Sequence, residues 1–389
     1  LPQSRRCITY VMSRRDARGN DSASKRPNHG EKGMKAWRSH RTGGPETLVL
    51  EEIEAPQPAD DELLVQVHAA GINFPDGLFL RDQYQITLPR PIIPGSEFSG
   101  IVVGRGPRAG DFAIGERVIG RCGWGAMAER IAVAQGKCAR LPDGLPLREA
   151  AAFMFAHATA WHALRDLAGL REGETLLVLG AAGGVGCAAV QIGRALGAQV
   201  RAAVSSEARL AHAIACGAHD GLVYPPTLEQ GGGKALAARF KALLPQGADV
   251  VFDPVGGDYA EAALRSLAHG GRHLVVGFTA GIPRVPLNLT LLRSARIIGV
   301  DWRTFSAREP AANAANIAAL LELWRQGRIA PPVSEVFPFA RAPEAIARLE
   351  TREALGKLVV EVADDDPGPG AGTAAAARDR AGATEEHEA

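Results

Sequence analysis

Residues 176–186, LLVLGAAGGVG, run from four apolar residues of the kind that form strands into a glycine cluster at Gly180, Gly183, Gly184 and Gly186. A stretch suited to a helix follows. Glycines are needed where a chain must turn sharply, bring its backbone against a pyrophosphate and pack a helix closely on a strand, leaving free amides at a positive helix end. The spacing Ala181, Gly183, Gly186 puts alanine at the first position of the usual fingerprint. A glycine-rich packing turn is the plain alternative, but a turn set after a strand, before a helix and among repeated βαβ units reads as a dinucleotide site.

The end of the next strand bears on which dinucleotide. In NAD sites an acidic residue about 20 positions beyond the glycines binds the ribose hydroxyls. Here the strand ends Ala203-Val204-Ser205-Ser206, with Arg209 close behind. Hydroxyls and a guanidinium accept a 2′-phosphate that a carboxylate would repel, so the sequence predicts NADPH, with Ser205, Ser206 and Arg209 at its phosphate. Either serine can also cap the helix that begins at Glu207. A strand ending slightly later would bring Glu207 itself near the ribose.

The elements that must position these residues fall into two patterns. From 34 to about 141, short alternating or apolar runs at 63–67, 100–103, 117–119 and 128–133 are broken by glycine and proline, a β-rich signature. From 176 onward, strand-like and helical runs alternate: 176–179 and 187–196, 200–204 and 207–216, 222–224 and 234–244, 250–252 and 259–268, then 272–276. Such repetition implies a parallel, doubly wound sheet. After Pro286 the rhythm breaks, a helix is predicted at 311–326, and a strand at 357–362 returns to the first domain. The predicted organisation is a disordered leader at 1–33, a β-rich domain at 34–157, a dinucleotide-binding domain at 158–298, a return to the first domain at 299–363 and a disordered acidic tail at 364–389.

The chain has 389 residues, 46% apolar and 22% charged, enough to bury a sizeable core. A net charge of +1 removes the electrostatic case for a nucleic-acid or acidic-membrane partner and leaves a small molecule. Residues 175–193 carry no charged side chain over nearly a bilayer's thickness, yet their glycines and Gln191 describe a strand, a turn and a helix rather than a membrane span. Cys7, Cys122, Cys138, Cys187 and Cys216 are widely spaced, odd in number and without a CxxC pair, which indicates neither a disulfide framework nor a Cys-rich structural zinc site. A reducing, cytoplasmic compartment fits.

Several motifs in order carry a family resemblance: GGPETLVLEE (43–52), GINFPD (71–76), PGSEFSG (94–100), the glycine turn, DPVGGDYAEAALRSLAHGGRHLVVGF (253–278) and GKLVVEV (356–362). Over nearly all of 34–362 the chain resembles the medium-chain dehydrogenase/reductase superfamily, specifically its zinc-free quinone oxidoreductase branch. The resemblance implies an α/β protein in which a GroES-like catalytic domain forms a cleft against a Rossmann domain. It implies that Asn73 and Tyr84 face the nicotinamide end, with Gly183, Gly184 and Val185 cradling the pyrophosphate. Ser205, Arg209 and Tyr224 would surround the adenosine phosphate, and Gly277 and Phe278 would line the nicotinamide pocket. Plainer roles exist: Asn73 can satisfy a turn, Tyr84 can pack with its hydroxyl in water, and Phe278 can be core. A homodimer through the Rossmann sheet edge is also implied.

Zinc-dependent relatives carry Cys at the place of Asn73 and His at the place of Ser96, and use the metal to polarise a carbonyl. Asn73, Ser96 and scattered thiols supply no such set, Glu97 alone is not a site, and His157 and His162 beside Phe153, Phe155 and Trp161 read as packing residues, so no metal is expected. Without a metal or an evident acid/base pair, the protein need only hold a hydride donor against an electron-poor acceptor. A quinone or conjugated carbonyl suits, since the charge pushed onto its oxygen can be stabilised by Tyr84, Asn73 or water. The rivals are an enoyl-thioester reductase and, from another class, a non-catalytic NADPH-binding protein.

Overall fold

Strand β3 (Glu62–Ile72) shows how the first domain builds its core: Leu63, Val65 and Val67 alternate into the interior while Glu62, Leu64 and Gln66 face outward. The computed structural model describes residues 33–229 and 232–363, so nearly all of the predicted leader and the whole tail lie outside the described residues. Ahead of β3, β1 (Met34–Ser39) and β2 (Leu48–Ile53) form an antiparallel hairpin. After it come β4 (Glu97–Arg105), β5 (Arg117–Gly120), β6 (Arg130–Ala134) and β7 (Cys138–Arg140), with helix α1 (Phe74–Leu80) between β3 and β4. One turn, α2 (Leu147–Ala150), and helix α3 (Met154–Trp161) lead into the second domain.

That domain alternates β8 (Thr175–Leu179), α4 (Gly184–Ala195), β9 (Gln199–Val204), α5 (Glu207–Ala215), β10 (Asp220–Val223), α6 (Gly232–Leu243), β11 (Ala248–Asp253), α7 (Tyr259–Arg265) and β12 (Leu267–Val275). The alternation continues past Pro286 with α8 (Asn288–Arg293) and β13 (Arg296–Gly299), which corrects the predicted break. The signal was masked because Leu287, Leu291 and Leu292 on and beside α8 point to solvent, leaving no helical period to read. Strand β12 also starts earlier than predicted, because it runs through Gly270 at a φ of 75° and Gly271, residues that read as a turn.

The six strands lie parallel in the order β10-β9-β8-β11-β12-β13, so chain direction across the sheet reverses between β8 and β11. A crevice opens at the carboxyl ends of strands at such a reversal. Residues 175–193 form β8 and α4, and among the described residues no helix is long and apolar enough to cross a membrane.

Beyond β13, α9 (Trp302–Arg308) and α10 (Pro310–Arg325) join the core shared with α3 and β8, where Trp324 stacks on Phe153 at 4.9 Å. The chain then rejoins the first sheet through β14 (Val333–Pro338) and β15 (Lys357–Glu361), with α11 (Ala342–Glu350) between them. That sheet runs β14-β15-β3-β4-β5-β7, with β6 also paired to β3, and β15 lies antiparallel to β3.

Candidate active site

Strand β8 delivers the chain to Gly180, which turns it at a φ of 58°, and the Gly183 amide closes the turn on the Gly180 carbonyl at 3.0 Å. A Cβ on Gly186 would lie 2.2 Å from that carbonyl, so a residue without a side chain is what allows α4 to start so close to the strand. Above the turn lies a cavity of about 560 Å³, lined by both domains. Ile72, Asn73, Phe74 and Pro75 come from the first domain. The turn contributes Gly183, Gly184 and Val185, and Lys357 comes from the start of β15. The first-turn amides of a three-turn helix, beside a cavity at the sheet's reversal point, fit a pyrophosphate.

Of the residues predicted for the site, the cavity gathers Asn73, Gly183, Gly184, Val185, Ser205, Arg209 and Tyr224. Ser206 lies outside the lining, where its Oγ caps α5 by accepting the Arg209 amide at 3.3 Å. Glu207 is exposed and also outside it. Arg209 borders the cavity while its guanidinium donates to the carbonyls of Arg352 and, at 3.4 Å, Ala354. Tyr224 packs on Tyr259 with ring centres 4.8 Å apart, and burial pushes its phenol up.

Gly277 and Phe278 do not line the cavity; Thr279 and Ala280 do. Strand β12 ends at Val275, and the bonds from Val276 N to Asp253 O and from Ala280 N to Val255 O fold the following turn so that its later residues reach the crevice. Phe278 is left 47% exposed. Tyr84 is likewise off the lining, its ring 4.6 Å from that of Phe79 in a small cluster with Leu88 and Ile92. Burial raises its pKa, opposed by the charge of Arg303.

The cavity floor holds a residue that the sequence reading missed. Lys357 is 3% exposed, and its Nζ donates to Glu97 Oε1 at 2.7 Å, Asn73 Oδ1 at 2.6 Å and the Ile72 carbonyl at 3.1 Å, so all three of its donors are used. The Asn73 amide in turn donates to Ser96 Oγ at 3.0 Å and Glu97 Oε1 at 2.9 Å, and Glu97 Oε2 accepts the Phe155 amide at 2.8 Å. Asp76 accepts the amides of Asn73 and Gly95, while burial pushes its carboxyl up to about 7. The Lys357 stem crosses the glycine turn so closely that a Cβ on Gly184 would stand 2.6 Å from its Cδ, and the Gly356 amide bonds Ala182 O at 2.8 Å. One side chain thereby joins the β15 strand, the phosphate turn and the first domain. Only an ordinary strand start, GKLVV, marked it in the sequence.

Two family models match this architecture: an alcohol dehydrogenase GroES-like domain over residues 59–143 and a zinc-binding dehydrogenase over 234–360. A quinone oxidoreductase-like protein 2 from Bos taurus is 36% identical over 319 residues, covering 81% of this chain and 89% of that one. The chain belongs to the quinone oxidoreductase-like branch of the medium-chain dehydrogenase/reductase superfamily. It is an oxidoreductase with a site for a nicotinamide cofactor. An Escherichia coli quinone oxidoreductase solved in complex with NADPH superposes with a TM-score of 0.77 at 27% identity, over 84% of this chain and 100% of that one. A segment amounting to 5% of the polyketide synthase GfsB from Streptomyces halstedii is 36% identical over 307 residues, 78% of this chain.

The superfamily includes zinc enzymes, but this floor does not fit a catalytic zinc ion. Asn73 and Ser96 offer an amide and a hydroxyl, and the carboxylate oxygen beside them already faces a tethered cation, the Lys357 ammonium. His157 and His162 stand apart from it: His157 stacks on Phe153 with burial lowering its pKa to about 4, and His162 stacks on Phe305 and bonds Asp166 at 2.9 Å.

Replacing Lys357 by Met strands a buried carboxylate and is expected to lower stability by about 3–5 kcal/mol, read from urea unfolding. Adding Glu97→Gln to Lys357→Met removes the stranded charge and should recover most of the loss. Equal instability of the single and double variants would show that the pair does not act as a unit.

Proposed function

We propose that the chain is an NADPH-dependent reductase of quinones or conjugated carbonyls that works without a metal in its cavity. The observation that carries this reading is the floor itself, where Lys357, Asn73 and Glu97 spend their polar groups on one another and on backbone. A floor of that kind positions reactants; it does not shuttle protons.

The bound cofactor would supply a hydride. The amides beside Gly183 and Gly184 would hold its pyrophosphate, and Ser205 and Arg209 its adenosine phosphate. Arg352, which also lines the cavity, adds a second guanidinium at that end, and no carboxylate takes the place that NAD would call for, since Glu207 lies outside the lining. The NADPH complex of the Escherichia coli relative supports the choice. Ile72, Phe74, Pro75 and Phe155 give the cavity an apolar wall beside the floor, suited to a flat conjugated acceptor and to excluding water. Quinone reduction generates a stabilised anion that water can protonate, which matches a floor whose lysine spends all three donors on protein acceptors. The likeness to a polyketide synthase segment keeps an enoyl-thioester reductase as the second reading.

The chain also fits a homodimer. Strand β13 is the outer strand of its sheet, and Ile282, Leu287, Leu291 and Leu292 just before it are each 69–81% exposed, more apolar surface than a monomer ordinarily leaves in one segment. Sedimentation of the full chain should give a dimer and Leu291→Lys a monomer; a monomeric wild type would rule this out.

Oxidation of NADPH by the purified chain, followed in parallel with quinones, simple enones and enoyl-CoA esters, tests the activity. Quinone and enone turnover is expected, with kcat retained after chelator treatment. Turnover with enoyl-CoA esters alone would transfer the assignment to the thioester reductase, and no turnover with any acceptor would leave a binding protein.

Arg209→Ala should weaken NADPH binding by about 1–3 kcal/mol, the range for a charge-assisted hydrogen bond, and leave NADH binding unchanged. Equal losses for both cofactors, measured by fluorescence titration, would mean that Arg209 serves the 352–354 backbone and not the phosphate.

A further inference from the structure

The wide spacing of the cysteines along the chain hides a cluster that folding assembles. Cys187 lies in the first turn of α4, and His212 and Cys216 lie one turn apart at the end of α5. Their donor atoms, two Sγ and an imidazole nitrogen, all fall within 4.8 Å of one another, with Cys216 Sγ 3.8 Å from His212 Nε2. A tetrahedral zinc ion, with bonds of about 2.3 Å to sulfur and about 2.1 Å to nitrogen, holds its ligand atoms roughly 3.5–3.8 Å apart, so the cluster needs only small side-chain rotations to close on an ion.

We propose that Cys187, His212 and Cys216 form a site for one thiophilic divalent cation, zinc by ligand chemistry, with water as the fourth ligand. Two sulfurs and one imidazole are a donor set that selects zinc over the hard oxygen-seeking cations. Cys187 is buried, whereas His212 and Cys216 are half-buried, which leaves a side open for solvent and for entry of the ion. Binding converts both thiols to thiolates and releases two protons, so the ion's charge is balanced.

The three ligands lie outside the cavity lining, so this site is separate from the floor of Lys357 and Glu97. Its position is nonetheless pointed. Cys187 follows the phosphate turn by one helical step, its amide bonded to Gly183 O at 2.7 Å, and His212 lies three residues past Arg209. An ion here would pin together the helix that opens at the pyrophosphate position and the helix that carries the cationic side chain of the adenosine end.

Cobalt(II) added to the reduced, metal-free full chain tests this without recourse to turnover. One equivalent is expected to bind with a thiolate-to-cobalt charge-transfer band and the visible absorption of tetrahedral cobalt, and zinc should displace it. Cys216→Ser and, separately, His212→Ala should each weaken binding about 100-fold or more, at least the loss that removing even an outer-shell partner can cause. Both positions are half-buried, and circular dichroism confirms that each variant is folded before titration. Absence of the charge-transfer band in wild type, or a band unchanged in both variants, would overturn the proposal. So would a wild type that fails to bind cobalt and instead loses two thiols to a Cys187–Cys216 disulfide on exposure to peroxide.

Discussion

The ion pair between Lys357 and Glu97, set among Asn73, Ser96 and the Ile72 carbonyl, is the interaction on which the arrangement of the two domains around the cavity turns. Removing two charges from water is costly, and the pair is tolerable only because every donor of the ammonium and both oxygens of the carboxylate are satisfied. That requirement fixes geometry. The ammonium must reach β3 and β4 in one domain while its stem lies over Gly184 in the other, so β15, the phosphate turn and the first sheet cannot shift independently.

The same cluster sets this cavity's floor apart from a zinc site in a fold shared with metal enzymes. A cation is still present at the floor, but it is tethered and fully coordinated by protein, so it offers no open position to a substrate oxygen. What remains for chemistry is placement against an apolar wall. That placement is the basis of the proposed preference for electron-poor acceptors that need little help with protonation.

Features with local causes were legible in the sequence. The glycine turn announced itself because strand, turn and helix are contiguous, and seven of the residues expected at the site do border the cavity. Residues whose roles depend on distant partners were not. Lys357 reads as the first residue of an ordinary strand, since its partners Glu97 and Asn73 lie 260 and 284 positions away. Gly277 and Phe278 stand beside the cavity lining while Thr279 and Ala280 enter it, because the turn after β12 is set by bonds to residues 253–255, which no local pattern reveals. Tyr84 was expected at the nicotinamide end, whereas packing on Phe79 holds it off the lining. Strand β13 was lost because α8 turns its leucines outward.

The sequence separation of the floor also sets an order of assembly during synthesis. Glu97 and Asn73 emerge from the ribosome 260 or more residues before the ammonium that neutralises them. At ordinary elongation rates that is a wait of roughly 10–50 s. Over that interval the first sheet lacks both β15 and the counter-charge of Glu97, so the nascent catalytic domain carries a carboxylate that favours water over burial. The domain is therefore completed after the Rossmann sheet that follows it in the chain, and the late strand acts as a latch that closes both units at once.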